Sequence, residues 1–244
     1  MVILVTGATG FVGKRVCNML LQQNHKIRII SRTPSSSFED VIVSDLSVDR
    51  IDKNIFDDVS TVIHLAGYAH DVKSLGNKED YFKLNVQATK NLAEVASNCG
   101  VSSFIYLSST KAGPNNDFQS SEKKAEGMYG ETKRAAEIAI LDEASSSNMR
   151  INIIRPALIY GPNVKGNLNL MIKGIKQGWF PPLPLNNNKR SMVHVDDVAR
   201  CIAYLDKKVS SDREIYQLTD NQEYSSYEIY NILCAVLGKK IRKL

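Results

Sequence analysis

Tyr129 and Lys133, in the segment Tyr129-Gly130-Glu131-Thr132-Lys133, are the pair whose types and spacing best suit proton chemistry. Four residues apart on a helix, the two side chains leave from one face. A free phenol titrates near pH 10, about three units above the cellular range. A neighbouring ammonium stabilises the phenolate and is expected to lower that value. Such a pair alone is a common helical feature, and it gains meaning from its neighbours. Ser108-Ser109-Thr110 closes the strand-like run before it. A hydroxyl there can orient an alcohol or sugar oxygen against Tyr129, and Ser109 is preferred to Ser108 for this. The competing role for such serines is a turn or a helix cap.

The second pattern is Thr6-Gly7-Ala8-Thr9-Gly10-Phe11-Val12-Gly13, directly after an apolar strand and opening a helix. Gly7 suits a sharp turn, Gly10 a close backbone approach to a pyrophosphate, and Gly13 tight helix–strand packing. The helix N-terminus then offers free N–H groups and a positive dipole end to phosphate. This is a dinucleotide cradle. With a phenol–ammonium pair downstream, it points to hydride and proton transfer at an alcohol carbon. At the end of the second strand, Ser31-Arg32 supplies no carboxylate for an adenosine ribose, whereas a guanidinium suits a 2′-phosphate. The cofactor is therefore NAD or NADP, with NADP favoured. The other reading of Arg32 is an ordinary exposed loop residue.

Composition narrows the partners. Hydrophobic residues make up 43% and charged ones 23%, as in ordinary globular proteins. The net charge of +5 is scattered in short clusters at Lys123-Lys124, Lys207-Lys208 and Lys239-Lys240. No basic stripe is interleaved with aromatics, so nucleic acid is not an expected partner. A solvated basic surface can also attract an anionic substrate. Cys17, Cys99, Cys201 and Cys234 are far apart, with no metal-ligand spacing, and the four histidines are dispersed. No metal site is expected, and reduced thiols suit a cytoplasmic location. The opening Val2–Val5 run lacks the length and basic flank of a signal peptide. No apolar stretch approaches the roughly 20 residues needed to cross a bilayer, so no membrane partner is expected.

Strand-like runs at Val2–Thr6, Lys26–Ile30, Val41–Val43, Thr61–Ala66, Ser103–Leu107 and Arg150–Ile154 alternate with helical patterns. The helices fall at about Phe11–Gln23, Tyr81–Asn98 and Ala125–Ser145. Continuous apolar strands separated by amphipathic helices predict an α/β protein with a doubly wound parallel sheet, helices covering both faces. After Arg155-Pro156, loops at Gly161-Pro162-Asn163, Gly178 and Pro181–Pro184 break the rhythm. Beyond them come a helix at Asn169–Gln177, a strand and helix within Arg190–Asp206, a strand at Glu214–Leu218 and a helix at Ser225–Leu237. Ser225 with Glu228 reads as a capping box, and Gly238 as a stop. The expected division is a dinucleotide domain at 1–160 and a substrate lobe at 161–244, with 190–220 packing back onto the first domain.

Taken in order, these motifs resemble the extended short-chain dehydrogenase/reductase family, in its branch of NAD-dependent epimerases and dehydratases acting on nucleotide sugars. The resemblance rests on Thr6–Gly13, His64-Leu65-Ala66-Gly67, Asn85-Val86-Gln87-Ala88-Thr89, Ser108-Ser109, Tyr129–Lys133, Arg155-Pro156 through Tyr160-Gly161-Pro162, and Arg190–Asp197. It implies a Rossmann sheet with a small C-terminal substrate lobe. It also implies a cofactor held by Gly7, Thr9, Gly10, Phe11, Val12, Gly13, Ser31, Arg32, Asp45, Leu46, Leu65, Ala66, Gly67, Asn85, Tyr129, Lys133, Pro156 and Leu158. Ser109, Tyr129 and Lys133 would be catalytic, Tyr129 as general acid/base and Lys133 on the nicotinamide ribose. Asn167 or Asn169 and Arg190, with Ser109, would reach the nucleotide-sugar substrate. A homodimer through about 81–98 and 125–145 is implied as well.

The chain departs from that family pattern in three ways. Lys111-Ala112-Gly113 stands where a Tyr-Gly often follows the serine, so the substrate wall differs. Ser109-Thr110-Lys111 replaces the Thr-Asp-Glu set of the dehydratases, which argues against water elimination. The chain ends at Leu244, where members usually continue, so a truncated substrate lobe is expected. The leading expectation is a UDP-sugar 4-epimerase. The alternatives are an NADPH-dependent reductase of a nucleotide-linked 4-keto sugar, and a non-catalytic dinucleotide-binding sensor or scaffold.

Overall fold

The computed structural model describes residues 1–68, 78–114, 125–143, 145, 147–208 and 213–241. The Lys123-Lys124 cluster lies outside them. Seven parallel strands form the central sheet: β1 (Val2–Thr6), β2 (Lys26–Ser31), β3 (Asp40–Val43), β4 (Val59–His64), β5 (Ser103–Leu107), β6 (Arg150–Pro156) and β9 (Arg213–Leu218). Their order is β3-β2-β1-β4-β5-β6-β9. The sheet reverses direction of growth between β1 and β4, and in such sheets ligands bind outside the carboxyl ends of the strands at that point.

Strand residues alternate between two apolar layers, as a period of two requires. Leu4, Val62, Phe104, Tyr106, Ile151 and Ile153 face α3 (Ala88–Asn98) and α4 (Gly127–Glu143), meeting Leu92, Ala93, Ala96, Ala136 and Ile140. Ile3, Val5, Ile29, Ile63, Ile105 and Ile154 face α1 (Phe11–Gln22) and α6 (Val195–Lys207), meeting Val16, Leu20, Val198, Ala199 and Ile202. Each fully buried aliphatic side chain contributes about 1.5–3 kcal/mol of transfer free energy. The doubly wound sheet predicted from the sequence is the one observed.

A second sheet of three strands joins β7 (Leu158–Tyr160), β8 (Arg190–His194) and β10 (Glu223–Tyr224), ordered β10-β8-β7. Beside it lie α5 (Gly166–Gln177) and α7 (Ser226–Val236). The capping box of α7 is present: Glu228 N–H donates to Ser225 Oγ at 3.1 Å and Ser225 N–H to Glu228 Oε2 at 2.6 Å. Gly238, just beyond, has φ +62°.

Among the boundaries that differ from expectation, two bear on the site. β4 stops at His64 rather than Ala66, because Ala66 N–H turns to the Thr6 hydroxyl at 3.2 Å instead of a strand partner. The single helix expected at 81–98 is instead α2 (Lys78–Phe82), a π-turn at Lys83–Gln87, and then α3. π-turns insert one extra residue into a helical turn and often mark functional sites. This one carries Asn85.

Candidate active site

At the carboxyl end of β1 the chain turns at Gly7, with φ +71°, and enters α1. A Cβ on Gly13 would stand 2.1 Å from the Gly7 carbonyl oxygen, so no larger residue allows this helix to start so close to the strand. Gly10 is the N-cap, and no side chain caps the first N–H groups of α1. That leaves the backbone donors of the first turn for an anion, together with the positive end of the helix dipole. The cradle fits a pyrophosphate.

Across the switch point, Leu65-Ala66-Gly67 leaves β4. A buried string of hydrogen bonds fixes it: Thr6 Oγ1 to His64 Nδ1 at 2.6 Å, and His64 Nε2 to Thr89 Oγ1 at 2.8 Å. Burial, then the charge of Lys133, pulls the His64 pKa down to about 3, so the ring is neutral. From the π-turn, the Asn85 amide accepts from Tyr68 N–H at 2.8 Å and donates to Tyr68 O and Thr132 Oγ1 at 3.2 and 3.1 Å. Gly67 runs beside the Asn85 amide and the Lys133 ammonium.

Helix α4 brings Tyr129 and Lys133 to this cleft. A Cβ on Gly130 would lie 2.3 Å from the Lys111 carbonyl oxygen, so glycine there lets the turn after β5 press against the first turn of α4. Ser109 opens that turn, accepting from Lys111 N–H at 3.2 Å, and its hydroxyl is near enough to Tyr129 to act on the phenol's pKa. Ser108 points the other way, donating to the buried carboxylate of Glu137. Of the two serines, Ser109 is therefore the one beside the phenol.

The electrostatics differ from the expected lowering of the phenol. Burial pushes the Tyr129 pKa up to about 12, against a downward pull from the Ser109 hydroxyl, and the phenol of Tyr81 adds a smaller upward push. Lys133 is 4% exposed; its Nζ donates to the Leu107 carbonyl at 2.9 Å and lies 4.6 Å from the Tyr106 ring centroid. Burial pulls Lys133 down to about 8, while the Glu137 carboxylate acts to raise it. Its ammonium is thus directed at a backbone carbonyl and an aromatic face, and desolvation dominates the phenol.

The remaining expected residues lie on the rim and in the lobe. Ser31 is half-buried and Arg32 exposed at the end of β2. Asp45 accepts from Ser47 N–H and Oγ at 2.9 and 2.6 Å, which holds its carboxyl below the usual range, with the charge of Arg32 contributing. The Leu46 side chain belongs to the apolar core. Pro156 is buried at the end of β6 and Leu158 is partly exposed. Asn167 is exposed and Asn169 half-buried on the first turn of α5, and Arg190 is exposed at the start of β8. Sequence reasoning did not single out Glu137, whose signal was the continuation of the Tyr129, Lys133 spacing by four more residues. Nor did it give a role to Arg155, which it met only within a motif.

The fold and the cleft define a Rossmann-type protein with a glycine turn shaped for a dinucleotide. Comparison with known sequences makes this specific: the chain belongs to the NAD dependent epimerase/dehydratase family, whose pattern matches residues 3–231. It is thus an enzyme of the extended short-chain dehydrogenase/reductase type. It is similar to the UDP-glucose 4-epimerase of Vibrio cholerae, at 29% identity over 97% of this chain and 76% of that protein. Its structure is similar to a UDP-N-acetylglucosamine 4-epimerase from Bacillus cereus, with TM-score 0.80 and 25% identity over 98% of this chain and 85% of the other. The fold also matches MoeE5 in complex with UDP-glucuronic acid and NAD, with TM-score 0.84 and 23% identity over 99% and 84% of the two chains. Among the described residues no helix is long and apolar enough to cross a membrane, and no cluster of three metal-ligating side chains occurs.

Proposed function

We propose that the chain is a UDP-sugar 4-epimerase. The observation that carries this is the gathering of Tyr129, buried Lys133 one helical turn on, and the turn that Ser109 opens at the strand ends beside the glycine turn, with Gly130 of α4 pressed on the Lys111 carbonyl of that turn. When bound, a nicotinamide dinucleotide supplies hydride acceptance and return at one carbon. Tyr129 takes the proton of the 4-hydroxyl and later gives it back, so the sugar is isomerised with no net change in redox state. Ser109 orients the reacting oxygen, and Lys133 holds the nicotinamide ribose. Gly7, Thr9, Gly10, Phe11, Val12 and Gly13 hold the pyrophosphate. Asp45, Leu46, Leu65, Ala66, Gly67 and Asn85 line the adenosine and ribose side, and Pro156 and Leu158 the nicotinamide. Arg190, with Asn167 or Asn169, meets the diphosphate of the substrate, since a guanidinium matches phosphate oxygens bidentately.

In this reading residues 1–160 bind the dinucleotide and 161–244 form the substrate lobe, 190–220 packing back on the former. The free cysteines suit a reducing cytoplasmic setting. Exposed Phe82 on α2 and Ile138 on α4 support a homodimer through these helices, to be checked by light scattering.

A specific feature favours a second reading, an NADPH-dependent reductase of a nucleotide-linked 4-keto sugar. Ser31 and Arg32 present hydroxyl and guanidinium groups, and no carboxylate, at the end of β2. The nearby Asp45 carboxylate offsets part of that charge. Incubating the purified protein with UDP-glucose or UDP-N-acetylglucosamine, with and without added NAD, tests the first reading by NMR of the sugar. Interconversion at carbon 4 without net cofactor consumption is expected. Stoichiometric oxidation of NADPH by a 4-keto sugar, with no interconversion, would replace the epimerase by the reductase. Binding of the dinucleotide with neither reaction would leave a sensor or scaffold.

A further inference from the structure

We propose that Glu137 and Arg155 are a positioning pair for the Ser109, Tyr129 and Lys133 set. The pair clamps the helix that carries the phenol and ammonium onto the turn that carries the serine, and its carboxylate is the counter-charge of Lys133. This rests on the roles given to those three residues above.

Both side chains are 0% exposed. Arg155, from β6, forks onto the carboxylate, with Nε to Oε1 at 2.8 Å and Nη2 to Oε2 at 2.5 Å. Its Nη1 donates to the Gly113 carbonyl at 2.7 Å. Glu137 Oε1 also accepts from the Ser108 hydroxyl. Ser108 precedes Ser109 and Gly113 ends the turn that Ser109 begins, so one ion pair holds the active-site turn at both ends. On the helix side, Glu137 lies one turn beyond Lys133 and two beyond Tyr129, on the same face.

A buried ion pair is a poor way to stabilise a fold, since desolvation offsets most of its attraction and apolar replacements are often neutral. Its geometric information is what distinguishes it here: three chain segments meet on one carboxylate. The surroundings of Lys133 are the Leu107 carbonyl and Tyr106 ring from β5, neutral His64 from β4, Asn85 beside Gly67, and Tyr129 and Glu137 on its own helix. Those of Glu137 are Arg155, Ser108, Tyr106 and, at 3.8 Å, Arg134. Among the described residues, the carboxylate acting on Lys133 is Glu137.

The test compares Glu137→Gln with Glu137→Asp in the full chain, measuring kcat against pH on UDP-glucose and NAD affinity by titration. In Glu137→Gln, kcat falls roughly 10²-fold, as for a small misplacement of catalytic groups. The pH at which activity is lost on the alkaline side moves down by about one unit, because Lys133 loses its counter-charge. NAD affinity weakens at the same alkaline pH values. Glu137→Asp returns the alkaline limb toward its original place. A Glu137→Gln enzyme whose pH profile and NAD affinity match the parent overturns the proposal, even if it is slower or less stable. Should that variant not fold, Glu137→Met with Arg155→Met removes both charges; a folded double variant with parental kcat and pH profile overturns it equally. Tyr129→Phe, assayed alongside, separates the two levels. Full activity there discards the roles of the triad itself, whereas an inactive Tyr129→Phe with an unshifted Glu137→Gln discards only the clamp.

Discussion

The two parts of this molecule are built to different standards of burial. Around the parallel sheet, several polar side chains go inside and are tied to partners: His64 between two threonines, Asn85 between two segments, Arg155 on Glu137. Around the small sheet, the apolar layers are thin, with Val164, Leu168, Met192 and Ile229 in one cluster and Ile175, Tyr230 and Cys234 in another. Trp179, Leu185 and Val236 stand more than half exposed there. The contrast teaches where precision is needed. Under the proposed function, groups that exchange protons must be held to fractions of an ångström by a rigid frame, whereas a lobe proposed to grip a substrate tolerates adjustment.

Kinetics can break that contrast most directly. Tyr129→Phe removes the proposed proton carrier and is expected to lower kcat by roughly 10²–10⁴-fold with cofactor binding retained. Arg190→Ala, in the lobe, is expected to raise KM by roughly tenfold or more and spare kcat, since a hydrogen bond to a charged group is worth about 1.5–3 kcal/mol. If Arg190→Ala lowered kcat as much as Tyr129→Phe, the division between chemistry and grip would be lost. Stability follows the same line. Leu92→Ala opens a cavity in the fully buried layer between α3 and the sheet and should cost about 2–5 kcal/mol in urea unfolding. Leu168→Ala, at the edge of the lobe, should cost about 2 kcal/mol or less, because its surroundings can collapse. Equal costs would mean the lobe is as tightly built as the sheet.

How much of this was legible in the sequence depended on how far apart the partners lie. The glycine turn and the Tyr129–Lys133 spacing are local patterns, and strand–helix alternation sufficed for the sheet. Arg155 meets Glu137 only because β6 lies beside β5 and α4 packs above both, which no local pattern encodes. The π-turn at Lys83–Gln87 was hidden because its residues suit an ordinary helix equally well. The phenol's pKa went the unexpected way because spacing reports the distance between two groups but not the desolvation around them. Asp45, expected to contact the adenosine, is held in place by two bonds from Ser47, a local pattern that Asp and Ser often set up in turns.

The buried polar frame also carries a pH signature. His64 is neutral in the folded chain with its pKa near 3, against 6.5 when free. Between those values the unfolded chain holds a proton that the folded chain lacks, so stability falls as the pH drops below 6.5. The slope from this residue is about 1.4 kcal/mol per pH unit. Urea unfolding at pH 7 and 5 should show it, and His64→Gln should remove it while carboxylates shared by both proteins cancel. An identical pH slope in the variant would place the imidazole in a wetter site than the threonine string describes.

The smallest effect tests the lobe alone. Ser225→Ala removes the side-chain acceptor of the α7 capping box, typically worth about 1 kcal/mol. The first turn of α7 is also tied to the preceding loop through Asn188, which donates to Ser226 Oγ and accepts from Ser226 N–H, both at 2.9 Å. Fraying at Ser225 should therefore loosen the strap before β8 without reaching the parallel sheet. The expected result is faster proteolytic cleavage near 181–189 with unchanged NAD affinity and unchanged kcat. Loss of NAD affinity in Ser225→Ala would show that loosening the lobe reaches the dinucleotide cleft through Phe11, which packs against the cluster of Leu168, Met192 and Ile229.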